Sequence, residues 1–362
     1  MTVTKVPPAW LARAVEWARH CLFRLHQRLT PAPAAMMEMI IATWTSQAIT
    51  VAAQLGVADA LTDGPLPIGE LAARVGADAD ALRRLLRALI GKGIFRLRRD
   101  GRYELNSLAA TLRSDAPISM TWAAQFYGSA EQRERWTLMV DAIRTGRTIV
   151  PALRGRESFD YFAGQAELAE LFNHTMTSVS ELTDGAVVAG YDFGAFRTIV
   201  DVGGGHGPLL AAILAGAPAS RGVLYDLPRV VANAPNLLRE CQVADRVRIE
   251  EGSFFERVPA GADAYILKNI IHDWPDDKAV QILRNVRAAA GRAATVLLVE
   301  LVIPDHNRDF PGKWVDLEML LNLGARERTA VEYEDLLGRA GLRVTRVVQT
   351  ASPLSVVEAR AA

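Results

Sequence analysis

One stretch constrains this chain more than any other: Ile199-Val-Asp-Val-Gly203-Gly204-Gly205-His-Gly207-Pro208-Leu-Leu. An apolar, β-branched run passes into glycines, and a helical pattern begins directly after Pro208. Glycine lets the backbone turn tightly and lets a ligand approach it closely. Proline is suited to the first turn of a helix. A strand that hands over to a helix in this way opens a parallel α/β unit with a ligand crevice at its carboxyl end. The dinucleotide fingerprint is G-x-G-x-x-G. Here the spacing is G-x-G-x-G, and Pro208 stands where the third glycine would fall. The loop therefore departs from the nicotinamide pattern and fits a nucleoside without a pyrophosphate.

The residues downstream agree with such a sheet. From residue 196 onward, apolar runs at 198–202, 222–225, 247–250, 264–267, 296–299, 343–348 and 354–358 alternate with helical patterns. Alternation of this kind predicts a parallel sheet with helices on both faces. The last two runs are separated only by a short Pro-containing turn and predict an antiparallel hairpin. Composition permits a large core: 50% of the 362 residues are hydrophobic, and the length suggests two domains. Lys+Arg and Asp+Glu are both 41, so nothing marks the chain as a coat for nucleic acid or an anionic membrane. Two cysteines, Cys21 and Cys241, allow neither a disulfide framework nor a Cys-rich zinc site. No apolar run reaches membrane-spanning length and no signal-like segment opens the chain, so a cytoplasmic protein is the expectation.

The N-terminal part reads differently. Residues 10–29 form an amphipathic helical pattern with Trp10, Trp17 and Leu22 among its apolar positions and Arg13, Arg19, Arg24 and Arg28 beside them. A helix packed on its own protein or on a sister subunit is favoured over a membrane-surface helix, and Pro31-Ala-Pro33 reads as a joint. A long apolar helix is expected over 36–60. Two further helices joined at Gly76 have helix-turn-helix spacing, and a hairpin around Arg98-Arg99-Asp100 follows, as in a winged helix. Over residues 61–115, ten Lys/Arg face seven Asp/Glu, which is weak for a DNA reader. Pairing of two chains is the better use of such a module. Residues 116–195 are helical and rich in aromatics: Trp122, Phe126, Tyr127, Trp136, Phe159, Tyr161, Phe162 and Phe172. They suit either plain core or the wall of a pocket for a flat ligand.

Candidate chemistry clusters at the carboxyl ends of the expected strands. Asp226, 23 residues after Gly203, ends the second strand, where a carboxylate can accept both hydroxyls of a ribose. Gly252-Ser253-Phe254 follows the third strand, and an aromatic there can stack on a nucleobase or pack in the core. The fourth leads into Lys268-Asn-Ile-Ile-His272-Asp273-Trp274. Histidine titrates near neutrality and can serve as a general base. Glu300 closes a run so apolar that its carboxylate needs a partner; His272 is a candidate. Glu327, in Gly324-Ala-Arg-Glu-Arg-Thr, is a second possible orienter of the imidazole. His, Asp and Glu do not cluster at metal-ligand spacing, so no metal is expected.

In their order along the chain, Asp201-Val-Gly-Gly-Gly-His-Gly, Tyr225-Asp-Leu-Pro, Gly252-Ser-Phe-Phe, Lys268-Asn-Ile-Ile-His-Asp-Trp and Arg326-Glu-Arg-Thr resemble the S-adenosylmethionine-dependent O-methyltransferases of the caffeic-acid and hydroxyneurosporene type. The resemblance runs from about Met36 to the end. It implies an α/β fold: a Rossmann-like, mostly parallel sheet of seven strands with a terminal antiparallel hairpin, preceded by a helical winged-helix dimerisation domain. It divides the chain into an extension (1–34), the dimerisation domain (35–115), a helical linker and pocket segment (116–195) and the methyltransferase domain (196–362). It implies S-adenosylmethionine as cofactor, held by Gly203, Gly204, Gly205, Asp226, Ser253, Phe254 and Lys268. It makes His272 the base, flanked by Glu300 and Glu327, and puts Phe172, Asn173, Met176, Met319 and Asn322 around the acceptor. The implied reaction methylates a hydroxyl of a small aromatic or polyketide-like natural product, in a homodimer with neither nucleic acid nor membrane as partner. Plant members usually carry Asp-Met where this chain has Ser253-Phe254, which removes an acceptor for the adenine amino group. Rival readings are the same fold using the cofactor for hydroxylation or decarboxylation, a winged-helix DNA-binding regulator and a nicotinamide oxidoreductase.

Overall fold

In the computed structural model, residues 6–156, 158, 161 and 164–362 are described. The chain divides into two compact units: Leu22–Leu138 with Phe159–Val179, and Met1–Cys21 with Met139–Ser158 and Ser180–Ala362. Phe159 and Phe162, expected among the pocket aromatics, lie outside the described residues.

The first unit is helical and carries a three-stranded antiparallel sheet built from β1 (Leu66–Pro67), β2 (Arg96–Leu97) and β3 (Arg102–Glu104), in the order β1-β3-β2. The hairpin is where the sequence placed it, whereas β1 was not anticipated because two residues leave no periodicity to read. Helices Ile68–Val75 and Ala79–Gly91 meet at Gly76, whose φ of 65° is a conformation glycine adopts without strain. Asp78 caps the second helix by accepting from the Ala81 amide at 2.8 Å. Leu71, Leu82, Leu86, Leu89, Phe95 and Tyr103 form the core between these elements. The single helix expected over 36–60 is instead three: Ala32–Ile40, Ala42–Gln54 and Val57–Ala60. The last break falls at Gly56, in a left-handed conformation (φ 63°) that ends one helix and caps the next. Uniform apolarity hid that boundary.

The second unit is built on the large sheet. Its strands are β4 (Thr198–Val202), β5 (Arg221–Asp226), β6 (Val247–Glu251), β7 (Ala264–Lys268), β8 (Thr295–Glu300), β9 (Leu342–Gln349) and β10 (Ser355–Ala361). Among the described residues the order is β6-β5-β4-β7-β8-β10-β9, parallel except for β10, which is antiparallel to both neighbours. All seven expected strands are present, with ends displaced by a few residues at most. Successive side chains alternate between two cores. Val200, Val202, Tyr265, Leu267, Val296 and Leu298 face helices Asp276–Ala290 and Ala330–Arg339. Ile199, Leu224, Ile266, Leu297 and Val299 face helix Pro208–Gly216 and its neighbours. Two covered faces explain why these strands read as continuous apolar runs rather than alternating ones. Each fully buried Leu, Ile or Val contributes about 1.5–3 kcal/mol relative to exposure. The order reverses at β4, whose neighbours β5 and β7 open a crevice at their carboxyl ends, where such sheets take ligands.

Candidate active site

The glycine loop follows β4 into helix Pro208–Gly216. Gly203, Gly205 and Gly207 have φ of 71°, 62° and 84°, a region that L side chains rarely adopt. Space tightens the constraint at two positions. A Cβ on Gly203 would come within 2.6 Å of Ile270 Cδ1, and one on Gly204 within 2.6 Å of the Asp201 carboxyl group and Leu224 Cδ1. A Cβ on Gly205 would meet nothing within 4 Å, so its backbone borders open space.

Asp226 ends β5, and each of its oxygens accepts one backbone N–H, from Gly205 at 2.9 Å and from Leu227 at 2.7 Å. One lone-pair direction per oxygen is left over, the acceptor set a vicinal diol needs. Phe254 lies close to the loop, 3.4 Å from a Cβ on Gly203, and packs edge-on against Phe255 and Trp274. The Ser253 hydroxyl accepts from the Phe255 amide at 3.3 Å. Lys268 donates to Ser180 Oγ at 2.8 Å and pairs with Asp184, both side chains being buried. Beneath the loop, Asp201 is buried with Oδ2 lacking a partner, and burial pushes its carboxyl up to about 7. Backbone open at Gly205, lone pairs at Asp226, an orphaned buried carboxylate oxygen and an aromatic ring beside the loop fit an adenosyl amino-acid ligand. The sequence motifs pick out Gly203–Gly205, Asp226, Ser253, Phe254 and Lys268, but not the buried Asp201 carboxyl, nor Asp184 and Ser180, which reach Lys268 from a helix 84 residues or more away.

His272 sits in a short 3-10 turn, Ile271–Asp273, after β7. The parallel register pairs Lys268 with Val299, so Glu300 projects just beyond the β7 end. There its Oε1 accepts from the amides of Ile270 (3.2 Å) and Ile271 (2.9 Å). Glu300 thus holds the turn by its backbone, and the partner of the imidazole is Glu327. Glu327 Oε1 lies 2.6 Å from His272 Nδ1, while the Glu327 amide donates to Asp316 Oδ1 at 2.9 Å. His272 Nε2 faces Asp273 Oδ1 at 3.4 Å. Donor atoms of His272, Glu300 and Glu327 all lie within 4.8 Å of one another, a grouping that sequence spacing does not reveal.

These charges set the proton affinity. Burial disfavours the imidazolium, but Asp273, Glu327 and Glu300 outweigh it and push His272 up to about 10. Burial raises Glu300 to about 7 and Asp273 to about 6, with the imidazolium pulling each the other way. Asn269, at φ 52°, turns the chain sharply between Lys268 and this cluster, in a region asparagine tolerates better than most residues.

The expected acceptor contacts fall on two helices. Phe172, Asn173 and Met176 lie on helix Ala166–Gly190, where Phe172 packs on Phe126 with ring centroids 5.5 Å apart. On the same stretch, His174 stacks on Trp122 at 4.6 Å. Met319 and Asn322 lie on helix Pro311–Leu323, and Asn322 Nδ2 donates to Glu318 Oε1 at 2.7 Å.

Comparison with known proteins gives two family matches: the O-methyltransferase domain over residues 136–343 and the O-methyltransferase dimerisation domain over residues 37–115. The phenazine O-methyltransferase PhzM of Lysobacter antibioticus is 42% identical over 330 residues, covering 91% of this chain and 96% of that one. The mitomycin biosynthesis 6-O-methyltransferase of Streptomyces lavendulae is 37% identical over 327 residues, covering 90% and 93%. The solved structure of NcsB1, an O-methyltransferase of neocarzinostatin biosynthesis in complex with S-adenosylmethionine and 2-hydroxy-5-methyl naphthoic acid, is 34% identical. It covers 88% of this chain and 96% of that one, with a TM-score of 0.74.

Proposed function

The chain belongs to the S-adenosylmethionine-dependent O-methyltransferases of bacterial natural-product type, and from that membership we propose that it methylates a phenolic hydroxyl of a small aromatic, with His272 as general base. The observation that carries the reading is the 2.6 Å contact between His272 Nδ1 and Glu327 Oε1 inside a buried carboxylate cluster. The naphthoic acid bound by NcsB1 supports an aromatic acceptor.

When bound, S-adenosylmethionine supplies a methyl group made electrophilic by its sulfonium. The chain's residues do the rest. Gly203, Gly204 and Gly205 give backbone access, Asp226 accepts the ribose hydroxyls, Phe254 offers a stacking face, and Ser253 and Lys268 complete the cradle. Glu327 accepts from His272 Nδ1–H, which leaves the Nε2 lone pair as the basic site of the neutral ring. A phenol has a pKa of about 10 and is mostly protonated at neutral pH. His272, raised to about 10, matches it, so the proton crosses from the phenol oxygen to Nε2 with little driving force either way. The oxygen left behind is the nucleophile. Glu300 fixes the turn that carries the imidazole, and Asp273 and Glu327 stabilise the imidazolium that forms. Met319 and Asn322 are assigned to hold the ring of the acceptor, and orientation by such contacts supplies much of the rate. The matched dimerisation domain supports a homodimer.

Labelled S-adenosylmethionine offered with a panel of phenols, products being read by mass, tests the assignment. Methyl ethers should form in the wild type and fall by about 10²-fold or more in His272→Ala, with donor affinity retained. Wild-type turnover in His272→Ala would remove the base role.

A further inference from the structure

Arg328 stands next to Glu327 and is among the largest fully buried side chains, at 1% exposure. A cation so placed needs every donor engaged. Its Nη1 donates to the carbonyl of Ile271 (3.1 Å) and to that of Arg326 (3.3 Å). Its Nη2 donates to the carbonyl of Trp274 (3.1 Å) and to Asp276 Oδ1 (2.7 Å), and Nε reaches the same Asp276 oxygen at 3.3 Å. Ile271 and Trp274 bracket His272 in the chain, so one guanidinium grips the imidazole-bearing turn on both sides. The backbone of Arg328 is anchored separately, its carbonyl accepting from the Ile303 amide at 2.9 Å, three residues beyond Glu300.

We infer that Arg328 is a positioning residue for the reaction: its planar fork fixes the His272 turn in register with Glu327, so that the segment supplying the orienting carboxylate also clamps the backbone it must meet. The inference rests on His272 being the base. Its physical content is geometric. An imidazole on a loose turn can drift from Glu327 while fold and donor cradle persist, and a misplacement of about 1 Å costs roughly 10²-fold in rate. Lysine cannot substitute, because a point-like ammonium does not span two divergent carbonyls and a carboxylate in one plane.

Arg328→Lys, Arg328→Ala and His272→Ala are compared with the wild type. In Arg328→Lys, kcat should fall roughly 10- to 100-fold, while KM for the phenol and the calorimetric Kd for S-adenosylhomocysteine change less than about threefold. In Arg328→Ala, added guanidinium should recover part of kcat. In the ligand-free protein, the downfield proton resonance of the His272 Nδ1–H to Glu327 bond should broaden or move in Arg328→Lys. Wild-type kcat in Arg328→Lys, or a loss expressed only in KM or Kd, overturns the inference. So does failure of both Arg328 variants to fold, which would make the side chain architectural. Retained turnover in His272→Ala would instead bring down the base assignment, leaving the two failures distinguishable.

Discussion

His272, the proposed base, sits in an unusual balance: three carboxylates around one buried ring. Asp273, Glu327 and Glu300 all favour its charged form, so the resting imidazole holds a proton at neutral pH. Turnover should therefore rise with pH through a limb well above 7. Removing one of those charges must lower the limb. Glu300→Gln is expected to shift the kcat–pH profile toward acid by at least about one pH unit, read from profiles of both proteins between pH 6 and 10. An unmoved limb would separate Glu300 from the imidazole. Stability carries the same sign. His272 is raised from 6.5 to about 10, so its contribution is complete below 6.5 and disappears as pH climbs through 10. Glu300, raised from 4.5 to about 7, binds its proton more tightly in the fold, so its contribution also fades between those values as pH rises. Both effects lower stability toward alkaline pH. Melting temperatures at pH 7 and 9.5 should fall further in the wild type than in His272→Asn, and equal falls would contradict the assigned coupling.

At the level of elements, the parallel strands were legible because burial on both faces leaves long apolar runs. The glycine loop was legible because its conformation and its spacing exclude other residues. What sequence could not supply was the division of labour between Glu300 and Glu327. Both were candidates; the β7–β8 register brings Glu300 to the turn's backbone, and the contact at Nδ1 gives the ring to Glu327. Arg328 stands inside the Arg326-Glu-Arg-Thr motif with no role that the sequence assigns it, since burial leaves no mark on a residue type that is usually exposed. The loop itself is testable. In Gly204→Ala, the new methyl would press on the Asp201 carboxyl and Leu224 at 2.6 Å. The expected cost is about 1–3 kcal/mol of stability, together with weaker S-adenosylhomocysteine binding by calorimetry. Wild-type values for both would mean that the loop relaxes at no cost and is not the tight cradle described above.

At the scale of the whole molecule, Lys+Arg and Asp+Glu balance at 41 each, so apolar rather than charged surface is the feature that sets this chain apart. Among the described residues no helix is long and apolar enough to cross a membrane. Yet helix Ala9–Arg28 buries none of its side chains in the single chain, and Trp10, Trp17, Leu22, Met36, Met37, Ile40 and Trp44 are exposed. Exposed apolar residues in such number mark an interaction surface. Those at 37–44 lie at the start of the matched dimerisation domain, which makes a second copy of the chain their expected cover. Trp44, 69% exposed in one chain, is the largest of them. Burying one such side chain contributes about 1.5–3 kcal/mol, and placing a carboxylate there instead adds a desolvation penalty. Sedimentation equilibrium should give twice the chain mass for the wild type. Ile40→Asp combined with Trp44→Asp should shift it to monomer at micromolar concentration, with the fold intact by circular dichroism. A doubly substituted chain that still sediments as a dimer would move the pairing surface away from these residues.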